Sequence, residues 1–210
     1  MFVCLLALCT LTLLAQNGSA PQDLRSAEGT AVGVTTQGVS AHLQTIYSNL
    51  GSSENRYNYT AGWPVAGPNS DYHAPYSVAL RFTPKFNSHV SQVKAAVLYF
   101  GSGADQVNIS IYGDSGGVPG TLLAGPVTVT NLPTGCCALA VADIPATAVT
   151  GGTQYWVVAD TPLTGQGSDF SGLWDWAALP VISLATKYSG GWLATNGDAR
   201  PAGAVLGTIP

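Results

Sequence analysis

The sequence predicts an all-β fold, an antiparallel two-sheet β-sandwich of jelly-roll-like design. Three observations predict it. Apolar and polar residues alternate with period two in successive short segments, the mark of strands with one buried face. Glycine- and proline-rich turns separate these segments at a spacing of roughly 8–12 residues. Composition agrees, because only 9% of the residues are charged while 25 are Gly and 13 are Pro, a balance suited to an extracellular domain with many tight turns.

The chain divides into a signal peptide (1–20), a flexible N-terminal linker (21–40) and the β-sandwich domain (41–210). Phe2 to Leu14 is an apolar run of signal-peptide length, too short to span a bilayer, and Gly18-Ser19-Ala20 supplies small residues for cleavage. Two features are irregular: no Lys or Arg precedes the apolar run, and Pro21 follows the cut. Export to the extracellular space is the expectation, with no membrane span in the mature chain. Residues 21–40 have no hydrophobic period and read as a loose arm.

Leu43, Ile46, Tyr47 and Leu50 fall at helical spacing before Gly51 and, taken alone, suggest a short helix. Residues 52–76 are polar, aromatic and proline-rich, with Tyr57, Tyr59, Trp63, Tyr72 and Tyr76. Alternation predicts a strand over Ser77–Thr83, and Val90–Phe100 reads as one longer strand that becomes apolar on both faces. In Gln106–Tyr112, Val107, Ile109 and Ile111 alternate with polar neighbours, and Val127 and Val129 do so in Pro126–Leu132. The glycines between Gly113 and Gly120 predict the longest turn there. Further strands are expected at Cys137–Ile144, Thr153–Asp160, Gly172–Ala177, Lys187–Leu193 and Ala204–Ile209.

Gly113-Asp114-Ser115-Gly116-Gly117 matches the segment around the nucleophilic serine of trypsin-like proteases. A serine hydroxyl needs an imidazole to take its proton and a carboxylate to orient that imidazole. None of His42, His73 and His89 has the required context, and the serine comes too early in the chain. The motif reads as a loop between two strands. Glycoside hydrolysis would need two facing carboxylates. The only glutamates, Glu28 and Glu54, precede the core strands. A non-enzymatic protein without a cofactor is therefore expected.

The net charge is −4, and no Lys, Arg or His lies between Lys94 and Lys187. A nucleic-acid interface needs clustered cations to displace phosphate counterions, so nucleic acid is excluded as a partner. Cys4 and Cys9 leave with the leader, which strands Cys136 and Cys137 as adjacent residues. Three states are open for the pair: a vicinal disulfide, a bridge to another chain, or two thiols on opposite faces of a strand. Two adjacent sulfurs and three scattered histidines do not make a zinc shell, so no metal is expected.

Ser48-Asn49-Leu50-Gly51, Tyr57, Gly62-Trp63-Pro64-Val65-Ala66-Gly67 and Leu80-Arg81-Phe82-Thr83 form an ordered series. It continues through Ile109–Gly120 and Gly151-Gly152-Thr153-Gln154-Tyr155-Trp156-Val157-Val158. This series resembles secreted bacterial domains of the choice-of-anchor type over roughly residues 41–209. The resemblance implies a β-sandwich with no established biochemical activity. It also implies that Thr45-Ile46-Tyr47 is a first strand, which replaces the helix. The chain ends at Pro210 without an apolar tail, basic stop or sortase motif, so release or noncovalent retention is expected.

Two functional classes follow. One is a structural or surface-interaction domain that packs against other surface proteins. The other is a carbohydrate-binding module for extracellular polysaccharide. Sugar recognition on a β-sandwich uses exposed aromatic rings flanked by hydrogen-bonding side chains. Trp174, Asp175 and Trp176 are the best local candidates, with both indoles on one face of a strand and Asp175 on the other. The preferred alternative is that both indoles pack in or over the core, as large rings usually do. Trp156 is expected in the core, and Trp63 and Trp192 as caps.

Overall fold

The computed structural model describes residues 42–135, 139–178, 182–188 and 190–210. The signal-peptide and linker readings lie outside the described residues, as do Cys136 and Cys137. Among the described residues there are thirteen strands and no helix, and every pairing between strands is antiparallel. The architecture is the expected two-sheet sandwich.

The smaller sheet has the order β1 (Gln44–Ser48), β13 (Gly203–Thr208), β4 (Ser88–Ala95) and β8 (Ala140–Val149). The larger runs β5 (Val97–Tyr99), β10 (Ser171–Ala177), β2 (Tyr57–Ala66), β3 (Tyr76–Phe82), β9 (Tyr155–Asp160), β6 (Gln106–Ser115) and β7 (Val118–Thr130). β11 (Ile182–Tyr188) adds to β3, and β12 (Trp192–Ala199) adds to β11.

Alternation places the core. Leu80, Phe82, Ile109, Ile111, Val157 and Trp174 of the large sheet meet Ile46, Val90, Val93, Ile144 and Val205 of the small one in a single buried cluster. Val107 and Tyr155 are buried there too, with Val127 and Val129 packed at its edge. A second cluster lies on the opposite face of the large sheet, where Ala79, Trp156, Val158 and Ala185 are buried. Trp192 of β12 packs against it, and β12 also touches β7. The β11–β12 hairpin thus arches over a face that would otherwise expose apolar surface. Trp156 is buried as expected, but in this outer cluster rather than between the sheets.

Four boundaries differ from expectation. Val90–Phe100 is two strands, because the chain changes sheet at Ala96, whose N–H turns to the Ala202 carbonyl at 3.0 Å. The broad turn expected over Gly113–Gly120 contracts to Gly116-Gly117, with Ser115 paired to Val118. Both glycines have positive φ, 65° and 88°, as the two-residue turn that matches strand twist requires. Lys187–Leu193 spans a hairpin turn between β11 and β12 rather than one strand. Within 52–76, read without a strand, β2 forms instead.

Trp174 joins the two halves of the core. It is fully buried, and its indole N–H donates to the Ala202 carbonyl at 2.8 Å. Trp174→Ala removes both the packing and that bond. It is expected to cost about 3–5 kcal/mol, read as a lower midpoint in urea unfolding with the slope unchanged.

Candidate functional site

Three of the exposed aromatic residues, Tyr72, Phe100 and Tyr188, lie along one rim of the large sheet, where β5, β10, β2, β3 and β11 begin or end, while a fourth, Phe86, lies on the β3–β4 connection. Phe100 follows β5, Ser171 opens β10, and residues 67–75 connect β2 to β3 and carry Asp71 and Tyr72. Tyr76 opens β3, and Tyr188, its partner in register, closes β11. The Tyr76 and Tyr188 rings stack with centroids 4.7 Å apart and planes 19° apart. Tyr72 meets Tyr76 edge-on at 5.6 Å. Tyr188 is 54% exposed, Phe100 51% and Tyr72 37%. It is the grouping of such rings, rather than the exposure of any one, that marks a contact surface.

The connecting segments lock this rim in place. Gly67 N–H donates to the Phe170 carbonyl at 3.0 Å, and Asn69 N–H to the Ser168 carbonyl at 2.9 Å. The Asn69 side chain adds a bond to the Ser168 hydroxyl at 3.0 Å. A Cβ on Gly67 would lie 2.0 Å from the Ser168 carbonyl oxygen, so this zipper tolerates only glycine there. Asp71 N–H reaches the buried Ser171 hydroxyl at 3.3 Å, and Phe100 N–H donates to the Ser171 carbonyl at 3.0 Å. His73 is held at a φ of +52°, a conformation that non-glycine residues seldom adopt outside constrained sites.

Between Tyr72 and Phe100 lies a cleft of about 220 Å³ lined by Asp71, Tyr72, Phe100 and Ser171. Two aromatic residues and an acidic one therefore line one concavity, beside the buried Ser171. Burial pushes the Tyr72 phenol above its ordinary value, with smaller contributions in the same direction from Tyr76 and Asp71. Tyr72 thus stays a neutral hydrogen-bond donor at physiological pH.

A larger cleft of about 330 Å³ opens on the other face of the same strand ends. Ser77 and Lys187 follow and precede the stacked tyrosines, so alternation sends them to that opposite face, where Asp160, Thr161, Pro75 and Leu163 join them. Burial pushes the Asp160 carboxyl up to about 6, against an Asn108 hydrogen bond and the Lys187 charge, both of which lower it.

The residues proposed from sequence take different places. Trp174 is fully buried and offers no stacking face. Trp176 is half-buried, and its ring lies 6.0 Å from Trp63 at 53°. The two indoles do not form one open platform, because Trp174 is wholly enclosed. Trp63 donates to the Ala199 carbonyl at 2.7 Å. In the protease-like motif, Asp114 accepts from Trp156 at 2.8 Å, from the Gly117 N–H at 3.1 Å and from Gln154. Its carboxylate holds the hairpin turn against the sheet. The histidines lie before β1, in the 67–75 segment and on β4.

Asp175 is the most unusual titratable group. Its backbone N–H donates to the Ala96 carbonyl at 2.9 Å and its carbonyl accepts from Ala202 at 2.8 Å, both at the seam where chains pass between sheets. The side chain is fully buried, and neither carboxyl oxygen has a hydrogen-bond partner. Burial pushes this carboxyl up to about 7, since desolvation disfavours the charged form. Asp175 in turn contributes to raising the Tyr57 phenol, whose main cause is its own burial.

The folded state therefore keeps a proton that the unfolded chain releases near pH 4. Stability from this group is full below that value and is lost as pH rises towards 7. Asp175→Asn is expected to raise the melting temperature at pH 8 and to change it little at pH 4. The gain is bounded by roughly 4 kcal/mol. Melting curves across that range check it; an equal effect at both pH values contradicts it.

No protein-family model matches the chain, and no curated protein matches it.

Proposed function

We propose that the chain is a secreted, non-catalytic β-sandwich domain that works by surface contact with other extracellular macromolecules. The observation that carries this reading is the set of exposed rings Phe100, Tyr72 and Tyr188 along one rim, with the half-buried Tyr76 packed between the two tyrosines. Interfaces draw on tyrosine because its ring gives broad contact area for little lost side-chain freedom. The rim is also pre-organised by the Gly67–Phe170 and Asn69–Ser168 bonds, so binding need not order it first. The apolar leader supports export, and the resemblance to choice-of-anchor domains supports a surface role.

The test compares the wild type with the Tyr72→Ala/Tyr188→Ala double variant for adsorption to the surface and matrix fraction of the exporting cells. The wild type is expected to adsorb, and the variant to lose roughly tenfold or more in affinity while keeping its β-type circular dichroism. Equal adsorption by the two proteins contradicts the reading.

A further inference from the structure

The rim presents its surface in a form that selects among extracellular macromolecules. Its exposed groups are aromatic rings beside a carboxylate: Asp71 and Tyr72 line the cleft together with Phe100, over the buried Ser171. A protein partner is ordinarily anchored by side chains filling apolar pockets at the centre of a continuous apolar patch. A sugar ring makes a different demand. Its flat C–H face stacks on an aromatic ring while its edge hydroxyls seek acceptors and donors.

We propose that this rim binds a neutral polysaccharide, a ligand class that rests on the surface-contact reading above. One pyranose ring sits in the 220 Å³ cleft between Tyr72 and Phe100, with the Asp71 carboxylate accepting from its hydroxyls. The chain of sugars then runs along the rim to Tyr76 and Tyr188. Because Tyr76 covers one face of the Tyr188 ring in a stack with planes 19° apart, the other face of Tyr188 is the one turned to the ligand, consistent with its 54% exposure. Tyr76 itself, half-buried and in ring contact with both Tyr188 and Tyr72, supports its neighbours and does not stack on sugar.

Charge fixes the polysaccharide as neutral. Among the described residues, Asp71 is the one charged residue lining the cleft, and no cation lines it. A uronic acid or sulfated chain would set its own anions against that carboxylate without a partner. Lys187 lies on the opposite face of β11, in the larger cleft. Trp174 and Trp176 take no part.

Affinity electrophoresis in native gels tests the proposal. The gels contain a neutral β-glucan, a neutral xylan or, as the acidic arm, polygalacturonate. The proteins are the wild type, Tyr72→Ala, Tyr188→Ala and Phe86→Ala, the last removing an exposed ring on the β3–β4 connection away from the rim. Circular dichroism checks that each is folded. At least one neutral polymer is expected to retard the wild type and Phe86→Ala, with each tyrosine variant weakened by roughly tenfold, and polygalacturonate is expected to retard none. Retardation by the acidic polymer alone overturns the charge argument and with it the proposal. Retardation that survives in both tyrosine variants overturns the placement on the rim. If no polysaccharide retards the wild type while tyrosine-dependent adsorption to the matrix fraction persists, the polysaccharide is overturned and the surface-contact reading stands.

Discussion

The hydrogen bonding of β10 on both edges is the constraint on which the rest of the structure depends. On one edge it pairs with β2, and on the other with β5, then with Ala96, then with residues 200–202 on their way into β13. That second edge is where the chain leaves one sheet for the other, twice. The strand therefore sits at the hinge line of the sandwich. Its middle residue, Trp174, reaches into the space between the sheets and bonds to Ala202. Asn49 secures the same seam by donating to the Pro201 carbonyl at 2.8 Å and accepting from the Gly203 N–H at 2.7 Å. In a chain with so few charges, burial and backbone bonding of this kind supply the stability that ion pairs would add little to.

The same strand links the core to the rim. Ser171, its first residue, is buried and serves both Asp71 and Phe100. Phe100 and the segment that carries Tyr72 are thus tied to a strand whose Trp174 and Asp175 are fully buried. Such support is what a binding surface needs if its rings are to hold one arrangement. Asp175 has a cost in the other direction, as a buried carboxyl without a partner weakens the seam when it ionises.

Much of the architecture was legible from period-two alternation. It works where one face meets the core and the other meets water or polar neighbours, as in the first half of β8, where Ala140, Ala142 and Ile144 are buried while Val141 and Asp143 are exposed. It fails where that asymmetry is absent. Residues 95–98, Ala-Ala-Val-Leu, are apolar throughout, so the change of sheet at Ala96 leaves no mark in the pattern. β2 carries Gly62, Pro64 and three aromatic residues without alternation, and Pro119 and Gly120 look like turn residues although they already belong to β7. Trp174 and Trp176 stand out as a pair in the sequence, but the depth at which the fold encloses Trp174 leaves no mark there. The rim was the least legible part. Tyr72 and Tyr76 stand out among residues 52–76, but Phe100 and Tyr188 lie 24 and more residues away in sequence and meet them only through the strand order β5-β10-β2-β3-β11. No local pattern encodes that order.

The central claim is that the rim is held by β10 and the residues leading into it, Ser168 to Phe170, as firmly as the core is. Native-state hydrogen exchange measures this directly. The account predicts that the Gly67, Asn69 and Phe100 amides, bonded to Phe170, Ser168 and Ser171, exchange on the same slow scale as the Asp175 amide at the seam. Fast exchange at those three positions, with Asp175 still protected, would show a rim that opens independently of the core and would contradict it.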